Sequence, residues 1–161
     1  MLLVIECIIL CLLFTLMVYI ISRKPINTLY NYPPEIRKRV MSLEYYKGRI
    51  PKSNNKIIVK FIALIIFLFI MVFILRYING YKGFIDAFKY GFLLWTIVNL
   101  YDLIVLDIIW FCHDPYFVFK GTEDMESEYH NYLFHFKGFI IGEFLAIIIC
   151  FLSALIISFI G

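Results

Sequence analysis

Apolar residues come in four long blocks with polar segments between them. The first runs from Met1 to Ser22 and is broken only by Glu6. The second runs from Ile57 to Tyr77, with Lys60 near its start. The third, Gly91 to Cys112, carries Asn99, Asp102 and Asp107, and the fourth, Gly138 to Gly161, carries Glu143. Each is about 20 residues long, the length of α-helix that crosses a bilayer core. The pattern predicts one all-α domain over residues 1–161, a four-helix transmembrane bundle with spans at about 2–22, 57–77, 91–112 and 138–160.

The first block resembles a secretory leader in position only. No basic residue precedes it and no small-x-small cleavage pattern follows it, so it reads as a retained span. Asn79-Gly80 and Lys82-Gly83 predict a tight turn after the second span. Phe84 to Tyr90 reads as interfacial.

Two polar segments predict amphipathic helices. In Arg23–Lys56, Pro33 and Pro34 can open a helix running to about Tyr46, because proline is tolerated in a first turn. Ile36, Val40 and Leu43 share one face and leave Arg37, Lys38 and Arg39 elsewhere, a pattern suited to an anionic membrane surface. Arg37, Lys38 and Arg39 are the expected lipid-headgroup contacts. Between His113 and Lys137, Thr122 is a good N-cap and acids follow it, so Glu123 to Phe136 reads as a helix. Tyr129, Tyr132, Leu133 and Phe136 would form its apolar stripe.

Composition agrees with a lipid environment. Hydrophobic residues are 63% of the chain and charged residues 17%, against roughly 45–50% apolar for a soluble domain. Richness in Ile and Phe points to an AT-rich genome, bacterial or archaeal. The net charge is +3, but its placement matters more. Nine basic residues and only Glu35 and Glu44 lie in Arg23–Lys56. The positive-inside bias puts that segment in the cytoplasm and both termini outside the cell membrane. Lipid explains this basic segment better than nucleic acid. Cys7, Cys11, Cys112 and Cys150 lie in or beside apolar runs with no Cys-x-x-Cys pair, and read as small hydrophobes.

Candidate chemistry lies in two places. A charge in a helix centre costs at least about 2.5 kcal/mol, so it turns toward protein or water. Lys60, Asp107 and Glu143 each enter roughly 6–8 Å from the same side at 1.5 Å per residue, and a convergence of the three is expected. Asp102 is deeper, without an evident basic partner. Asn99, Asp102 and Asp107 span an arc of about 140° on an α-helical wheel. These residues can be structural pairs, or a proton relay, a cation site or a lipid-headgroup pocket. The third loop holds His113, His130 and His135 among acids. It has no compact His-x-x-x-His pair, and no metal or cofactor is expected. His135 and Glu123 are expected to pack near Asp107, because Gly121 lets the loop fold back on the helix ends. Nucleotide, nucleophile-elbow and zinc-protease motifs are absent.

The stretch from Asp107 to Gly138 contains Asp-Ile-Ile-Trp-Phe-Cys, Lys-Gly-Thr-Glu and Tyr-His-Asn-Tyr-Leu-Phe-His-Phe-Lys-Gly. It resembles a group of small uncharacterised bacterial multi-pass membrane proteins. These have a Gly-Thr-Glu turn and a Tyr-x-Phe-His-x-x-Gly-like segment before the last helix. Lys120 stands where that group has proline, and Trp110 is displaced from the Asp. The resemblance covers about a fifth of the chain and implies that Asp107, Gly121, Thr122, Glu123, Tyr132, His135 and Gly138 form one site. It implies no reaction.

Two functions follow as expectations. The first is a non-enzymatic transport-related, accessory or immunity-type membrane protein that meets anionic lipid and a protein partner or second copy of itself. The alternative is a membrane-embedded enzyme or ion site at the cytoplasmic face, acting on a lipid or other amphipathic substrate. Its core would be Asp107, His113, Glu123 and His135.

Overall fold

Helix α1 (Leu2–Ser22) leads through a 3-10 helix (Pro25–Asn31) to a short α2 (Pro34–Ser42) and a second 3-10 turn (Glu44–Tyr46). Helix α3 (Asn54–Phe73) continues into a π-helical turn (Ile74–Ile78), and α4 (Phe84–Tyr101) into a longer π-helix (Asp102–Phe111). After another 3-10 turn (Pro115–Phe117) come a single turn, α5 (Glu126–Tyr129), and the longest helix, α6 (Tyr132–Ile160). This computed structural model describes residues 1–50 and 54–160, with backbone alone over 54–60. The expected placements of Lys60 and Ser53 therefore lie outside the described residues. Among the described residues the chain is all-helical, without strands, and four helices are long and apolar enough to cross a membrane.

The order of contacts fixes the directions. Glu6 meets Tyr90, Thr15 meets Tyr101 and Tyr19 stacks on Trp110, so α1 and α4 run parallel. The span core is built by α3, α4 and α6 around Leu75, Ala87, Cys150, Ala154 and Ile157, with α1 laid against α4. Along α1, Val4, Ile8, Leu12, Leu13 and Leu16 are all exposed. An apolar surface that extensive requires lipid around it.

A second core lies at the C-terminal ends of α1 and α4, made entirely of loop residues. Leu29, Tyr32, Ile36, Val40, Tyr46, Phe117, Phe119 and Tyr129 are buried together. The α2 helix forms with the expected face inward: Ile36 and Val40 are both 0% exposed. That face packs on the third loop, so the chain itself covers it. Arg39 turns the same way, donating to the Gly121 carbonyl at 3.3 Å and pairing with Asp124 at 3.7 Å. Gly121 has φ +88°, and a Cβ there would stand 2.9 Å from Leu43 Cδ1, so both backbone and space require glycine.

The expected helix over Glu123–Phe136 breaks in two. Thr122 does not cap it: the hydroxyl donates to the Phe119 carbonyl at 2.8 Å and bonds the Tyr129 hydroxyl at 2.7 Å. Burial of Tyr129 in the loop core pulls α5 away from the line of α6. Asn131 then starts α6 afresh, its Oδ1 accepting from the Phe134 N–H at 3.1 Å. The predicted stripe divides accordingly, with Tyr129 buried and Tyr132, Leu133 and Phe136 exposed. The segment read as interfacial, Phe84 to Tyr90, is the first part of α4.

Candidate functional site

The site grows from the end of α4. The ten residues of the π-helix that continues α4, Asp102–Phe111, close i→i+5 hydrogen bonds, as in Cys112 N–H to Asp107 O at 3.0 Å. A π-helix turns about 80° per residue rather than 100°. Residues five apart, Asp102 and Asp107, are thereby brought from about 140° to roughly 40° of each other around the axis. Two carboxylates come to one side of one helix, and both line a single cavity of about 290 Å3.

His135, from the first turns of α6, completes the group. Its Nδ1 lies 3.1 Å from Asp107 Oδ2, and the residue is only 4% exposed. Phe111 and Phe134 flank the ring at centroid distances of 5.2 and 5.5 Å. Its other nitrogen, Nε2, is buried without a hydrogen-bond partner. Buried polar atoms are nearly always bonded, so this atom stands out among the described residues. With Nδ1–H donated to the carboxylate, Nε2 presents an acceptor lone pair.

The cavity is amphipathic. Phe14, Met17, Val18 and Ile21 of α1 form one wall, and Trp110, Phe111 and Phe117 form another. Ser22, Thr28, Asn31 and Tyr32 add polar groups, and no Lys or Arg is among the described lining residues. Tyr32 is fixed by donation to the Phe117 carbonyl at 3.2 Å. Burial, and then the nearby Tyr129, pushes its phenol well above the ordinary range, so it stays neutral.

The remaining candidates lie elsewhere. Glu143 accepts from Thr96 Oγ1 at 2.9 Å and from Asn99 Nδ2 at 2.8 Å, and Asn99 also donates to the Phe139 carbonyl. It is a satisfied bridge between α4 and α6. His113 is exposed, bonded through Nδ1 to the Ile108 carbonyl and packed at a tilt against His130, with centroids 5.0 Å apart. Glu123 is exposed and accepts the Gly121 N–H. Arg37 stands 6.0 Å over the Tyr30 ring, while Lys38 is exposed. Among the described residues no three His, Cys, Asp or Glu side chains are grouped to hold a metal ion.

One polar residue was not singled out in the sequence. Glu6 is buried and accepts from Tyr90 at 2.6 Å and Asn79 at 2.8 Å. The available signal was its position as the single charge in the first apolar block. Comparison with protein families, curated proteins and solved structures finds no match for this chain.

Proposed function

We propose that this chain is a multi-pass membrane protein of the group it resembles, and that it binds an amine-bearing amphipathic cation in the Asp102–Asp107–His135 cavity. Its role is transport-related or accessory rather than catalytic. In this reading the Arg23–Lys56 segment is cytoplasmic and both termini lie outside. The observation that carries it is a cavity lined by two carboxylates, Asp102 and Asp107, beside His135, with no Lys or Arg among the described lining residues. A ligand suited to that wall offers N–H donors and positive charge to Asp102 and Asp107. Its apolar part lies along α1, and Trp110 and Tyr32 supply faces for a cation.

The same dyad supports a second reading. An Asp that orients a His while leaving Nε2 free is the arrangement of a general base. A membrane-embedded enzyme acting on an amphipathic substrate would use it so.

A charge series tests the first reading. Purified protein in a neutral maltoside detergent is titrated calorimetrically with octylamine, octanol and octanoate at pH 7. Saturable binding of octylamine alone is expected, weakened about ten-fold or more by Asp102→Asn, which removes the carboxylate. Equal heats for all three compounds, unchanged in the variant, contradict it. Orientation is tested separately, by labelling a cysteine at position 42 in intact cells; labelling from outside contradicts a cytoplasmic first loop.

A further inference from the structure

A second cavity, of about 240 Å3, opens in the loop layer and has the opposite charge. Three cations from three separate segments line it: Lys24 just after α1, Arg49 after the second 3-10 turn, and Lys120 in the third loop. No carboxylate is among the described residues of its lining. Arg49 and Lys120 converge on one ring, with the guanidinium 4.4 Å and the ammonium 5.9 Å from the Tyr45 centroid. Among the described residues none of the three cations forms an ion pair. The nearby acids are engaged elsewhere, Glu44 with Lys47 and Glu123 with the Gly121 N–H.

Two cations at one aromatic ring, and a third lining the same cavity, repel one another unless an anion joins them. The walls hold their geometry through packing. Tyr46 is buried against Phe119 at 5.6 Å, and Tyr116 donates to the Arg23 carbonyl at 2.6 Å, tying the third loop to the end of α1. Arg supplies a planar fork for phosphate oxygens and Lys a point charge. Lys24 stands two residues beyond Ser22, the last residue of the α1 span. That is the depth at which phospholipid phosphates lie.

We infer that the Lys24–Arg49–Lys120 cavity binds the phosphate of an anionic phospholipid. Headgroup recognition then centres on these three residues, while Arg37 and Arg39 of α2 have other neighbours. The site is separate from the Asp107–His135 cavity, so each can fail without the other.

The test is native mass spectrometry of the full chain in a neutral detergent, with phosphatidylglycerol and phosphatidylcholine added in equal amounts. The wild type should carry phosphatidylglycerol in preference by about ten-fold or more. The K24Q/R49Q/K120Q protein should lose the preference, and the R37Q/K38Q/R39Q protein, with the same change in charge, should keep it. Equal loss in both triple variants overturns the site. So does a wild-type ratio near one, which decides the matter even if a variant does not fold. Millimolar inorganic phosphate separates the two sources of the anion: retention of the lipid supports the headgroup, and displacement by phosphate but not chloride overturns it in favour of free phosphate.

Discussion

His135 Nδ1 and Asp107 Oδ2 stand 3.1 Å apart, joining the start of α6 to the π-helical end of α4. The pair holds the imidazole in one tautomer and leaves Nε2 unbonded in the interior.

Asp107→Ala should destabilise the protein by about 1–3 kcal/mol, because it strands a buried N–H. His135→Phe should cost little more in that background than Asp107→Ala alone. The coupling between the two sites, read from a double-mutant cycle of thermal melts in detergent, should be on the order of 1–3 kcal/mol. Additive losses would show that the two side chains are neighbours without being partners.

Gly142→Ala tests the other polar bridge. A Cβ at Gly142 would stand 2.5 Å from Asn99 Oδ1 and 2.8 Å from its Nδ2. Asn99 must then leave Glu143 or push α6 away from α4, at a cost of about 1–3 kcal/mol. Adding Asn99→Ala should relieve the clash while removing a donor from Glu143. The melting temperature of the double variant should therefore lie above that of Gly142→Ala alone.

Much of this architecture was legible in the sequence. The four long apolar helices follow from the four apolar runs, and α2 follows from Pro34 and the Ile36–Val40 spacing. The approach of His135 to Asp107 follows from the Gly121 turn. What stayed hidden depends on choices the same residues can make in two ways. Nothing in Asp-Leu-Ile-Val-Leu-Asp distinguishes i→i+5 from i→i+4 bonding, yet that winding decides whether Asp102 joins Asp107. Thr122 and Asn131 are both good caps; the burial of Tyr129 selects Asn131. Glu6 finds Tyr90 and Asn79 only after α1 lies parallel to α4, a tertiary event that no local pattern encodes.

Glu6→Leu should weaken that end of the bundle. It leaves the Tyr90 hydroxyl and the Asn79 amide without their carboxylate, at a cost of about 1–3 kcal/mol. Glu6→Gln keeps an acceptor and should cost less. Tyr90→Phe added to Glu6→Leu should recover part of the loss in melting temperature. No recovery would mean that the hydroxyl is satisfied by another group.

The most direct measurement of the central claim uses Trp110, which lines the Asp102–Asp107–His135 cavity. The chain has two tryptophans, and Trp95 packs on Phe67 of α3, so Trp95→Phe leaves Trp110 as the sole reporter. Titration of this variant with octylamine in neutral detergent should change the Trp110 emission saturably. The change should weaken about ten-fold or more when Asp102→Asn is added, and octanoate should produce none. A Trp110 signal that responds equally to octylamine and octanoate, or that ignores the loss of Asp102, would contradict a cation site in this cavity.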